Sequence, residues 1–205
     1  STTFPKVFRE VVNRYGVAGE KGIRSAALDA GFKTPAVVRE IIKSGITPLL
    51  PYTCPKGRRN NEENPTRFGS KDFVYNEQHD WFVCPNSCVA TPRGISKETG
   101  YIIYRTSAKD CNRCPLRSVC LSKSATTRTV NRHIWQAYLD EAELIRHTEY
   151  HKRYYPNRKK TIERVFADAK EKHGLRFTRL TGKQKVHDET LLVFTCMNMK
   201  KMAMW

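Results

Sequence analysis

Ile23-Arg24-Ser25-Ala26-Ala27-Leu28-Asp29-Ala30-Gly31-Phe32, followed by Ile46-Thr47-Pro48-Leu49-Leu50, is the stretch on which the reading of the fold turns. The first run is short, apolar and closed by Asp-Ala-Gly, which suits a buried strand entering a loop and sets the Asp29 carboxylate at the strand's C-terminal end. Between the two runs, Thr34 can cap a helix and Pro35 fits its first turn. Val37, Val38, Ile41 and Ile42 form its apolar stripe, and Gly45 stops it. Strand, helix and strand in this order predict a βαβ unit with parallel strands, hence an α/β fold. On the N-terminal side, Val7, Phe8, Val11, Val12 and Tyr15 recur at helical spacing between Phe4 and Tyr15, and Gly16 follows as a stop.

Beyond Pro51 the character changes. Lys56 to Arg67 is a polar loop. Phe73-Val74-Tyr75 and Trp81-Phe82-Val83 flank a turn and predict a β-hairpin, and Gly100-Tyr101-Ile102-Ile103-Tyr104 reads as a further strand before the segment Cys111 to Cys120. Residues 51–133 therefore read as a β-rich insertion containing a cysteine knuckle. The helical period returns from Ile134 to Tyr150 and from Arg158 to Lys172, with His173-Gly174 as a stop. A last apolar helix, Val186 to Met202, is expected to pack Leu191, Leu192, Phe194 and Met197. Residues 1–50 and 134–205 then form one domain interrupted by the insertion.

The 205 residues carry 37 Lys and Arg against 20 Asp and Glu, a formal charge of +17. An excess of this size is the footprint of a phosphate-bearing partner, nucleic acid first; a solvated basic surface is the bland alternative. No apolar run is long enough to cross a bilayer, and no secretory leader pattern opens the chain, so a cytoplasmic protein with no membrane contact is expected. Seven cysteines in a reducing compartment favour thiol or metal chemistry over disulfides. The text opens on Ser1 in what reads as the middle of a fold, so an N-terminal portion is expected to precede it.

Asp29 at a strand end and Glu163 within the basic run Arg158-Lys159-Lys160-Thr161-Ile162-Glu163-Arg164 stand out by position. Carboxylates from separate elements are what a two-metal phosphoryl-transfer site needs, with basic neighbours to hold the DNA. Taken singly, Asp29 could brace a loop and Glu163 could pair with a nearby cation.

Two motifs carry a resemblance. Asp29-Ala30-Gly31-Phe32 resembles the D-x-G-[YF] segment around the second aspartate of insertion-sequence transposases with the DDE signature. Tyr155, Arg158, Glu163 and Lys170, within Thr161-Ile162-Glu163-Arg164-Val165-Phe166-Ala167-Asp168-Ala169-Lys170, resemble the block around their catalytic glutamate. The family pattern has three residues between Arg and Glu. Here Arg158 leaves four and Lys159 leaves three, so both stand as candidates for the basic role. Cys111-Asn112-Arg113-Cys114-Pro115-Leu116-Arg117-Ser118-Val119-Cys120 and Arg146-His147-Thr148-Glu149 are also similar to one group of these transposases.

The resemblance implies an RNase H-like fold, here truncated at its N-terminus, with the first catalytic Asp outside the sequence. It implies Mg²⁺ or Mn²⁺ on Asp29 and Glu163, and DNA contacts by Tyr155, Arg158, Lys159, Arg164 and Lys170. Its partners are transposon-end and target DNA and further copies of the chain, in a prokaryotic cytoplasm and at the nucleoid. The activity implied is DNA cleavage and strand transfer, with the present polypeptide inactive for want of its first Asp. A DNA-binding remnant without chemistry, or a metal-dependent nuclease of the same fold, remain as alternatives.

Cys84 with Cys111-x2-Cys114-x5-Cys120 offers four thiolates suited to Zn²⁺ or to an iron–sulfur cluster, with Cys88 an extra candidate. The alternative is that all seven are unliganded. Cys54, just after a strand, and Cys196, in an apolar helix, read as buried inert thiols. His79, His133, His147 and His151 have no partner at metal or nucleophile spacing. Trp81, Tyr101, Tyr104 and Trp135 lie near basic residues, where they either stack on an unpaired base or pack in the core.

Overall fold

The computed structural model describes residues 3–17, 22–53 and 68–204; Cys54 and the whole polar loop at Lys56 to Arg67 lie outside them. The chain is mixed α/β and divides into two compact units, residues 1–146 and 147–205.

In the first unit, helix α1 (Phe4–Tyr15) ends at Gly16, whose φ of 74° lets its N–H turn back to the Val12 carbonyl at 2.8 Å. Its buried line is Phe4 and Phe8, with Val12 partly covered, whereas Val7, Val11 and Tyr15 are exposed. The expected stripe is thus displaced. The two phenyl rings stack at 5.3 Å, and this pair at i, i+4 fixes which face meets α2 (Pro35–Lys43). Strand β1 (Ser25–Ala27) runs parallel to β2 (Thr47–Leu49), Ala26 opposite Pro48, and the Leu28 N–H extends the ladder to the Leu49 carbonyl. The crossover helix α2 starts as its residues dictate, with the Thr34 hydroxyl accepting from the Val37 N–H. Its Val38 and Ile41 are fully buried, and Val38 packs with Leu50 and Ala142 of α5 (Gln136–Arg146).

The cysteine-bearing region builds an antiparallel five-stranded meander in chain order: β3 (Val74–Asn76), β4 (Trp81–Val83), β5 (Val89–Ile95), β6 (Tyr101–Thr106) and β7 (Thr129–His133). Two strands, β5 and β7, are additions to the sequence reading. Pro92 and Gly94 lie inside β5, and the register shifts between them, which is where a sheet admits such residues. One face is core: Phe82, Ala90, Tyr104 and Val130 are buried with Phe73. The Tyr104 hydroxyl donates to Asp80 Oδ1 at 2.5 Å and that of Tyr75 to the same oxygen at 2.8 Å. Burial and then the Asp80 carboxylate push the Tyr104 phenol far up, so both groups stay donors. Tyr104 is therefore a core residue and no stacking surface. Two short helices follow β6 along the cysteine segment, α3 (Ala108–Asn112) and α4 (Arg117–Cys120).

The second unit holds α6 (Glu149–Tyr154), α7 (Asn157–Lys160), α8 (Ile162–Lys172) and α9 (Lys183–Ala203). The predicted helix Arg158 to Lys172 is interrupted at Thr161, whose φ of −111° and ψ of −93° leave the helical region and whose hydroxyl donates to the Asn157 carbonyl at 2.9 Å. In α9 only Met197 of the four expected core residues is buried. Leu191 and Leu192 are 53% and 65% exposed, Phe194 meets Phe166 edge-on, and Cys196 is exposed instead of inert in a core. A helix apolar on several sides needs neighbours on several sides, and α8 covers one. No described helix is long and apolar enough to cross a membrane.

Candidate functional site

Asp29 lies where the strand pattern predicts, two residues past the end of β1, exposed, with Oδ1 accepting from the Ala30 N–H at 2.7 Å to cap a single 3-10 turn, Ala30–Phe32. Lys33 ends that turn. Its Nζ donates to the Pro51 carbonyl at 3.4 Å and to Glu143 Oε2 at 3.0 Å, tying the exits of β1 and β2 to α5. Glu143 also accepts from Arg146. Burial alone would push the Glu143 carboxyl up; the hydrogen bonds from Arg146 and Lys33 outweigh it and hold it at about 2. A cleft of about 250 Å³ opens here, lined by Lys33, Thr53, Lys71, Asp140 and Glu143. The side of an α/β sheet where parallel strands end is where ligands usually bind.

The second unit brings together three of the motif residues. The Thr148 hydroxyl caps α6 through the His151 N–H, and the buried His151 ring stacks on Tyr155 at 4.8 Å. The Arg158 guanidinium donates to the Tyr155 hydroxyl at 2.7 Å and reaches Glu163 Oε1 at 3.5 Å. In an unbroken helix, residues five apart point about 140° away from each other and could not meet. With Thr161 unwound, Arg158 comes within 3.5 Å of the Glu163 carboxylate while Lys159 stays exposed. The same break places Glu163 in the first turn of α8, where the helix N-terminus favours a carboxylate. Its side chain is 49% exposed, against 16% for Arg158. Arg164 and Lys170 are exposed on α8, Lys170 two turns beyond Glu163.

Cys84, Cys111, Cys114 and Cys120 line one cavity of about 20 Å³, together with Phe73, Thr106, Arg117 and Arg128. Cys88 belongs to the same corner: its N–H donates to Cys84 Sγ at 3.3 Å and its carbonyl accepts from the Cys84 N–H. The turn Cys84-Pro85-Asn86-Ser87-Cys88, with Ser87 at φ 58°, was the available signal for that partnership. Burial, and the neighbouring cysteines, push the Cys88 and Cys120 thiols up, with the Arg128 guanidinium opposing the rise at Cys120. Arg128 donates to the Phe68 and Cys120 carbonyls, and its buried Nε has no hydrogen-bond partner. Among the described residues, no group of three or more His, Cys, Asp or Glu is closed into a metal-holding arrangement. The thiols share a cavity and do not form a coordination sphere.

Comparison with known proteins yields no matching curated protein and no matching solved structure. Residues 83–203, more than half of the chain and spanning the cysteine cavity and the Tyr155, Arg158 and Glu163 cluster, match the family model described as the transposase DDE domain. The chain belongs to the transposase DDE-domain family.

Proposed function

We propose that this protein cuts and joins DNA at insertion-sequence ends, and that Asp29 and Glu163 are carboxylates of its Mg²⁺- or Mn²⁺-dependent site in an RNase H-like domain formed by residues 1–50 and 134–205. The observation that carries the reading is the connected set of Tyr155, Arg158 and Glu163, which the family motif would require to act as a unit. The donor chemistry suits the ions: Asp29 and Glu163 offer hard oxygens at exposed positions. Bound divalent cations supply Lewis-acid stabilisation of the attacking and leaving oxygens of a phosphodiester. Arg158 positions the Glu163 carboxylate through its contact and is itself held by the Tyr155 hydroxyl. Lys159, Arg164 and Lys170 offer exposed cations for the DNA phosphates, so affinity should fall steeply with salt. The partners are transposon-end and target DNA, in an assembly of several copies.

With DNA carrying the transposon ends, the protein as its gene encodes it should show Mg²⁺-dependent cleavage. Glu163→Ala and Asp29→Ala should each lower the rate more than about a hundredfold while DNA affinity stays within about twofold. Undiminished cleavage in either variant removes that carboxylate from the site. Cleavage by neither wild type nor variants, with salt-sensitive binding intact, would leave a DNA-binding protein without this chemistry.

The same reading assigns a structural Zn²⁺ to Cys84, Cys111, Cys114 and Cys120, with Arg117 and Arg128 offsetting the charge of four thiolates. Purified protein should carry about one Zn²⁺ per chain, lost in the double variant Cys111→Ser, Cys114→Ser with a lowered Tm. Iron with sulfide in its place would identify a cluster instead; neither metal at stoichiometric level would overturn the assignment.

A further inference from the structure

The five-stranded sheet has two unlike faces. One is the core of Phe82, Ala90, Tyr104 and Val130. The pairing register assigns the other face residue by residue, because directly opposed residues share a face and successive residues alternate. Thr91 pairs with Arg105, and Arg105 with Thr129. Trp81 pairs with Asn76, and one further step of the β4–β5 register sets Trp81 opposite Thr91. A single row therefore crosses the strands as Trp81, Thr91, Arg105 and Thr129. Along β6, Ile103 and Tyr101 follow Arg105 on the same face, and Tyr101 lies opposite His133.

None of these residues belongs to a buried cluster of the described residues. Arg105 and Thr129 are exposed and Tyr101 is 39% exposed. Both aromatic rings are held by partners that lock their orientation. The indole of Trp81 stacks on His79 at 4.5 Å and 21°, and the Tyr101 ring stands edge-on to His133 at 5.1 Å. His133 in turn is pinned: its Nδ1 accepts from the Trp135 N–H, and a side chain on Gly100 would sit 3.1 Å from its Nε2. Burial lowers the pKa of this imidazole, which keeps it a neutral support.

We infer that this face is a platform for an unpaired strand of nucleic acid. Two oriented aromatic faces with a guanidinium between them match successive bases and a phosphate. Strand spacing puts Trp81 roughly 10 Å and Tyr101 roughly 13 Å from Arg105 at the backbone, a span of a few nucleotides. Arg105 stands in the rows just described with no carboxylate among them, in a chain that carries +17, so the charge is complementary to a polynucleotide and opposed to a basic partner. A duplex offers its bases edge-on inside grooves and cannot stack on such a surface, so the platform discriminates strand state. The inference rests on the transposase reading only for where the unpaired strand comes from; strand binding itself needs neither metal nor cleavage.

Fluorescence anisotropy without divalent metal, using a labelled oligothymidylate and a duplex of equal length, tests this. Tyr101→Ala should weaken oligothymidylate binding about tenfold and leave duplex binding within about twofold, with Tyr101→Phe restoring the wild-type value. Arg105→Glu should weaken it further, and Trp emission should be quenched by the oligonucleotide in wild type but less so in Trp81→Phe. Thermal unfolding of each variant separates lost contact from lost fold, since Tyr101 and Arg105 lie outside the core. Equal losses for duplex and single strand, or unchanged oligothymidylate affinity in both Tyr101→Ala and Arg105→Glu, overturn the platform. Loss of cleavage in Glu163→Ala with the strand preference intact keeps the two readings separable.

Discussion

The meander of residues 74–133 and the helices of residues 147–205 are built on opposite plans. The meander closes one face on Phe73, Phe82, Ala90, Tyr104 and Val130, and ties it with two tyrosine hydroxyls on one carboxylate. The helical unit buries only His151, Ala169 and Met197 among its described residues, while Phe166, Leu191, Leu192, Met199 and Met202 face outward. Burial is thus concentrated in the meander, and the motif residues Tyr155, Arg158 and Glu163 sit where burial is thin. Regions that open at low free energy are drawn from such thinly packed elements.

The sharpest way to break that contrast is a pair of substitutions followed by urea unfolding. Phe82→Ala removes a ring at the centre of the meander and should cost about 3–5 kcal/mol. Leu192→Ser on α9 should change stability by less than about 0.5 kcal/mol. Comparable losses from both would mean that α9 is covered in solution and that the two regions are alike.

A smaller effect sharpens the comparison from the first unit. Glu143→Gln should cost about 1 kcal/mol at neutral pH, a value kept low because a side chain 38% exposed is screened by solvent. Since the folded carboxyl is held at about 2, below its ordinary range, the wild-type advantage is complete above that range and is lost as pH falls towards 2. Unfolding midpoints of the two proteins should converge on acidification. A gap that persists at pH 2 would assign the loss to packing instead of charge.

What the sequence revealed follows from which signals are local. The cap at Thr34, the stop at Gly16 and the parallel pair around Asp29 are written in adjacent residues, and all three stand as read. Strand β5 was hidden because Pro92 and Gly94 carry turn chemistry that a bulge tolerates, and β7 because Thr129 to His133 is mostly polar on its outer face. Burial in α1 and α9 depends on which neighbours arrive, so Val7, Leu191 and Leu192 could not be sorted from Phe8 and Met197 by period alone. Arg158 and Glu163 stand out in the sequence as residue types, but their meeting at 3.5 Å does not, because it depends on one residue leaving the helix. Cys88 was visible as a thiol, but only the turn that carries it past Cys84 makes it a neighbour.

Thr161 also bears on how such proteins are compared with one another. A motif written as fixed counts between letters treats the chain as a rigid ruler, each residue advancing the same angle and rise. One unwound position breaks the ruler: the count between arginine and glutamate grows by one while the pair stays in reach at 3.5 Å. An alignment scored on spacing would open a gap here and hand the arginine's column to Lys159, a side chain that lies exposed in solvent. A single added residue can therefore be absorbed at this joint while the arginine stays within reach of the glutamate.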